Sequence, residues 1–211
     1  MRLIIYFFLI VSCNIAIAKP IIYDSIKSFI SEQENFTENN LIYSEADINE
    51  DGITDWLGVF HNEEHIKIFV LLKRKDGMYI ISGKSNLAEF RGYSIGDGWI
   101  NEIEKHGKNA FYLTFAVKGG YSAITSYKYI FKYKSDVWRL IGEDYEYIPI
   151  GEDDEKQESA SISINYLTGN FSKSITKNGK SKYIKGKRKY PVFLLNDFDF
   201  YNSYGMEEFW R

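Results

Sequence analysis

The sequence predicts an all-β domain, or a β-rich α+β one. Its antiparallel strands should meander into a sandwich, barrel or curved sheet, with a short helix at the N-terminus. Three observations carry this. Aromatic residues make up 17% of the chain, as 17 Tyr, 15 Phe and 4 Trp, against three prolines. Aromatic and β-branched side chains pack well on a pleated, half-buried surface. Apolar and polar residues alternate, most cleanly at Tyr127, Tyr129, Phe131 and Tyr133, the period-two mark of a strand with one buried face. Such runs recur every ten or so residues between turn-forming clusters, and no longer repeat is present, which favours a sandwich, barrel or curved sheet over a propeller or solenoid.

The elements follow in order. Ile22, Ile26, Phe29 and Ile30 share one face at helical spacing, which predicts a helix over 22–30. Leu41 to Tyr43 reads as a short strand running into the acidic turn Asp47 to Asp55, and Trp56 to Phe60 as the strand that resumes after it. His65 to Leu72 and Met78 to Ser82 pair across a turn carrying Asp76-Gly77, and 86–98 reads as irregular. Trp99 to Ile103 and Phe111 to Lys118 form the next pair. Ser126 to Tyr133 and Val137 to Ile141 flank Lys134-Ser135-Asp136 as a hairpin. Ser161 to Tyr166 and Asn170 to Ile175 form another around Thr168-Gly169. Val192 to Leu195 and Phe198 to Phe200 are expected to close the domain as strands. The acids Asp197 and Asp199 would then share one solvated strand face.

Residues 1–18 have the layout of a secretory signal peptide. Met1-Arg2 gives a positive start, Leu3 to Val11 an apolar run, and Ala16-Ile17-Ala18 a small-x-small cleavage site. The run is shorter than the ~20 residues a membrane-spanning helix needs, and no other stretch is long enough. The expectation is a periplasmic or secreted single domain over 19–211 with no transmembrane span. Ile10-Val11-Ser12-Cys13 resembles a lipobox, so a lipid anchor at Cys13 in the envelope is the alternative. Cys13 is the chain's one cysteine, and cleavage after Ala18 removes it. Stability must then come from the core and bound ions rather than disulfides. A net charge of −3 argues against general nucleic-acid or anionic-membrane binding.

The strongest chemical pattern is Asp47-Ile48-Asn49-Glu50-Asp51-Gly52-Ile53-Thr54-Asp55. Oxygen-bearing side chains stand at positions one, three, five and nine and glycine at six. A hard cation such as Ca²⁺ wants six to eight oxygens at close range. The expected ligands are Asp47, Asn49, Asp51 and Asp55 with the backbone carbonyl of Ile53, and the expected role is structural. The segment resembles the calcium loop of FG-GAP and integrin-α-like β-repeats, which joins two strands. It resembles an EF-hand less well, because Gly58 stands where that loop wants a bidentate Glu. Phe131-Lys132-Tyr133, Trp138 to Gly142 and Asn165 to Gly169 are together similar to a pattern in small uncharacterised periplasmic proteins of Gram-negative bacteria. That resemblance implies no catalytic residue.

Other patterns lack the context their chemistry needs. Gly92-Tyr93-Ser94-Ile95-Gly96 matches a nucleophile elbow, but a strand rather than a helix is expected after it. His61 and His65 would pair on a helix, yet they border a strand, and zinc wants a further ligand and a supporting shell. No catalytic residue and no organic cofactor site is assigned. The acidic segment Glu143 to Glu158 and Lys173 to Lys189, with eight basic residues and no acid, flank one hairpin and could meet a partner of complementary charge. The expected function is therefore a non-enzymatic envelope binding protein with a structural calcium loop. An inhibitor or immunity protein facing a toxin or cell-wall enzyme is one form of it, with an envelope or secreted protein as partner. The alternatives are a periplasmic hydrolase with a carboxylate-lined site and a structural envelope lipoprotein.

Overall fold

A computed structural model describes residues 21–33, 36, 38–62, 65–89, 98–119, 123–150, 158–199, 204, 205 and 207. The signal segment 1–18, the Gly92 to Gly96 motif and residues 151–157 of the acidic segment Glu143 to Glu158 lie outside these residues. Among the described residues the strands form two antiparallel sheets, as the sequence predicts.

The smaller sheet contains β1 (Ile22–Tyr23), β2 (Leu41–Ala46), β3 (Asp55–His61), β4 (His65–Lys73) and β5 (Tyr79–Lys84) in the order β1-β5-β4-β3-β2. The two-residue β6 (Ala88–Glu89) pairs with the start of β4. The larger sheet is a meander of β7 (Gly98–Lys105), β8 (Ala110–Gly119), β9 (Ala123–Lys134), β10 (Val137–Pro149), β11 (Ser159–Asn165), β12 (Asn170–Lys177) and β13 (Lys180–Lys187), each paired with its chain neighbour.

Turn chemistry fixes the registers. Lys134 pairs with Val137 across Ser135 (φ 53°) and Asp136 (φ 62°), and Lys177 with Lys180 across Asn178 (φ 52°) and Gly179 (φ 69°). Two-residue turns with both φ positive match the right-handed twist of the flanking strands. Asn-Gly is the favoured pair for such a turn; Ser-Asp adopts it here against its steric preference.

The smaller sheet is covered on both faces. Along β3, Leu57 and Val59 face the larger sheet, while Trp56 and Phe60 face outward into a second cluster. That cluster is closed by α1 (Ile26–Ser31). Ser25 caps this helix by accepting from the Ser28 N–H at 3.1 Å, and Ser28 Oγ accepts from the Ser25 N–H in return. Phe29 is fully buried, edge-on to Phe69 at 4.8 Å and to Tyr23 at 5.1 Å. The helix is shorter than the periodicity predicts, because Ile22 and Tyr23 pair with Ile80 and Tyr79 as β1.

Between the sheets, Ile66, Ile68 and Val70 of β4 meet Phe111, Leu113 and Phe131 of the larger sheet. Trp138 Nε1–H donates across the interface to Ser82 Oγ at 3.1 Å. The closing segment departs from expectation. Among the described residues, Val192 to Leu195 and Phe198 to Asp199 are not strands: Leu194 makes one bridge with Arg139, and Leu195–Asp197 is a 3-10 turn. Leu195 and Phe198 plug the core, with Phe198 edge-on to Tyr129 at 4.8 Å. Asp197 therefore lies in that turn and not on a strand face beside Asp199. Lys173 to Lys189 is also more than a charged run, since it holds most of β12 and all of β13.

Candidate functional site

Two regions carry the chemistry: the acidic loop between β2 and β3, and the open face of the larger sheet.

In the loop, Glu50 (φ 61°) and Gly52 (φ 84°) turn the chain back on itself. Asp47 accepts from the Asp51 N–H (3.0 Å) and the Gly52 N–H (2.9 Å). Asn49 Oδ1 accepts from the same Asp51 N–H at 3.1 Å, and its amide donates to Asp51 Oδ2 at 3.0 Å. Asp51 Oδ1 accepts from the Ile53 N–H at 2.9 Å. These bonds gather Asp47, Asn49 and Asp51 on one side of the turn.

Asp55 is placed differently. It is 1% exposed, and its two oxygens accept from the N–H groups of Ile48 and Lys73, each at 2.9 Å. Burial pushes its carboxyl above the usual carboxylate range, against the backbone N–H groups of Lys73, Ile48 and Asn49, and the Asp51 charge adds to the rise. The donor set consists of oxygens alone, which suits a hard cation such as Ca²⁺. Asp47, Asn49 and Asp51 would hold such an ion directly, and Asp55 would anchor the loop to the sheet with its remaining lone pairs. Among the described residues, no group of three or more His, Cys, Asp or Glu is placed to hold a metal.

The loop also joins the two sheets. Ile48 is fully buried in the shared core, its carbonyl accepts from the Asn109 N–H at 2.8 Å, and the Asn109 carbonyl accepts from the Tyr133 N–H at 2.8 Å. Glu50 lies 3.3 Å from Lys108 and 3.9 Å from Lys105, exposed pairs that contribute little to stability.

The histidines do not assemble. His61 ends β3, His65 begins β4, and His106 lies edge-on to Tyr112 in another turn. Deeper in the larger sheet, Glu143 is 1% exposed. Its oxygens accept from the Tyr166 hydroxyl at 2.5 Å and the Gly205 N–H at 3.0 Å. Burial and the Glu143 charge raise the Tyr166 phenol well above its ordinary value. This clasp ties residues 204–205 to β10.

The open face of the larger sheet carries a groove of about 870 Å³ lined by all seven strands. Its register is continuous. Glu102, Thr114, Lys128, Asp144, Ser163, Ser172 and Lys185 form one row, each directly opposite the next. A second row runs two residues along, through Ser126, Glu146, Ser161, Ser174 and Tyr183. The residues between the rows turn their side chains to the other face, so at β11 and β12 the floor is the hydroxyls of Ser161, Ser163, Ser172 and Ser174 over backbone.

Asp144 and Glu146 are exposed and make no ion pair among the described residues. Lys128 holds its ammonium 4.0 Å from the Tyr112 ring centroid, and the Tyr112 hydroxyl donates to Glu104 at 2.9 Å. Burial, the Glu104 hydrogen bond and the Glu102 charge push the Tyr112 phenol up to about 12. The Thr114 hydroxyl has no hydrogen-bond partner among the described residues.

The sequence reading did not find this groove. Its residues come from seven strands, and only their register brings them together. The alternation of Ser161, Ser163, Ser172 and Ser174 with buried neighbours was the available signal. The chain matches no protein-family model, and neither a curated protein nor a solved structure is similar to it. Among the described residues, no helix is long and apolar enough to cross a membrane.

Proposed function

We propose that this chain is an exported, non-enzymatic binding protein of the envelope, with the groove on the larger sheet as its recognition face. Export rests on the leader layout of residues 1–18. The observation that carries the binding reading is the groove itself: a cleft within the usual size range of ligand sites (~300–1,000 Å³), crossed by two registered rows of polar side chains. Its carboxylates stand open on a broad surface, an arrangement suited to accepting hydrogen bonds from a ligand.

The test compares the protein purified after expression of the full chain with its Ser163→Trp and Lys182→Glu variants, as bait for an envelope extract. Ser163 is exposed on the groove floor, while Lys182 faces the opposite side of β13. Loss of the retained material in Ser163→Trp alone supports the groove; equal retention by all three removes it.

The loop Asp47 to Asp55 binds Ca²⁺ in this proposal and braces the sheet junction. An ion that binds only the folded state stabilises it by ~2.7 kcal/mol at a hundredfold excess over Kd. Thermal melts should therefore rise with Ca²⁺ over EDTA in the wild type and coincide in Asp51→Ala. Identical wild-type melts would leave the loop an ion-free turn.

A further inference from the structure

We infer that the groove takes a neutral saccharide chain, an inference that rests on the groove being the recognition face.

Charge balance sets the first constraint. Along the groove the charges alternate in sign, from Glu102 to Lys128, which stands directly opposite Asp144, and on to Lys185, with Glu146 in the second row, and Lys128 is already drawn onto Tyr112. A polyanion would meet Asp144 and Glu146, and a polycation would meet Lys185. Like charges brought together cost several kcal/mol in an interface, so a ligand with little charge fits best.

Hydrogen-bond chemistry sets the second. Carboxylates only accept and an ammonium only donates, while hydroxyls do both. Between β10 and β13 the groove offers all three in order. Asp144 and Glu146 stand on one side of the facing pairs Ser163/Ser172 and Ser161/Ser174, and Lys185 and Tyr183 stand on the other. A ligand bearing many hydroxyls, each able to donate or accept, satisfies every position at once.

Shape sets the third. Six inter-strand spacings of about 4.8 Å make a track on the order of 29 Å, which suits an extended chain. Tyr183 is 77% exposed and presents a flat ring with a polar tip, apt for the C–H face of a pyranose. An extended peptide fits less well. Peptides add to sheets by main-chain bonds along an edge, whereas β8 to β12 have their backbones paired on both sides.

Titration calorimetry on the purified protein tests this with linear pentasaccharides of β-1,4-linked glucose and of N-acetylglucosamine. At least one should bind. Tyr183→Ala, and Asp144→Asn combined with Glu146→Gln, should each weaken it by about tenfold or more, ~1.4 kcal/mol. Ser163→Trp should abolish it and Lys182→Glu should leave it unchanged. Circular dichroism checks that each variant keeps its strands, and Tyr183→Ala carries the test if Ser163→Trp does not fold. Failure of both saccharides to bind overturns the inference. If Ser163→Trp still loses material that the wild type retains from envelope extract, the groove stands and its ligand is of another class. Saccharide binding indifferent to Ser163→Trp and Tyr183→Ala overturns both readings.

Discussion

Strands β3 and β11 are each seven residues long, and they are built for different surroundings. In β3, Asp-Trp-Leu-Gly-Val-Phe is buried without a break, since α1 and its neighbours cover one face and the larger sheet covers the other. In β11, Ala160, Ile162 and Ile164 are buried while Ser161, Ser163 and Asn165 are exposed. A sheet covered on both faces is committed to holding the fold; a sheet with one face in water has side chains left for recognition. The two burial patterns follow from which layer is outermost.

The comparison breaks first at Phe60, which is fully buried and lies within ring contact of Phe29, Phe36 and Phe69. Phe60→Ala should cost about 3–5 kcal/mol, a large part of a typical domain's stability, read from urea unfolding. A loss below about 1 kcal/mol would mean that the outer layer holds little. A sharper test sits on adjacent residues. Ile164→Ala should cost about 2–5 kcal/mol, while Ser163→Lys should stay within about 0.5 kcal/mol. Similar costs at the two positions would contradict the assignment of faces.

The smallest effect is at His61, at the end of β3, where burial pulls the imidazole below its ordinary value of 6.5. As pH falls, the unfolded chain takes up this proton before the folded one. The stability from the neutral ring is thus full above the ordinary value and is lost as pH drops through the folded value. Urea midpoints between pH about 7.5 and about 5 should fall slightly less in His61→Gln than in the wild type. Parallel slopes would show that the ring is not desolvated.

The larger sheet was legible where one face is apolar. Tyr127 to Tyr133 announces β9, and Thr168-Gly169 marks the turn between β11 and β12. β13 was not legible, although Asn178-Gly179 is a strong hairpin pair. An edge strand carrying Lys180, Lys182, Lys185 and Lys187 lacks the apolar alternation that betrays a buried face. Lysine on an edge also discourages unwanted pairing, so the same residues read as a charge patch. Phe198 misled in the opposite direction. An aromatic between acids reads as strand alternation, yet it fills a gap in the core from just after a 3-10 turn. The loop Asp47 to Asp55 was read from ligand spacing, which is local; Asp55's second task, accepting from Lys73, depends on a strand eighteen positions away. The groove is the extreme case, since each of its rows crosses most or all of the larger sheet.

The meander has a consequence for how the molecule comes into being. Each strand from β8 onward pairs with the strand made just before it, so during synthesis every newcomer finds a finished edge and closes a short loop, the quick kind of contact. The first strand has no such luck: Ile22 and Tyr23 must wait for Ile80 and Tyr79. Until β5 arrives, the N-terminal strand has no edge to join. The oldest strand is therefore the last of β1 to β5 to gain its partner, and a pause in elongation before residue 80 would leave it unpaired for the longest time.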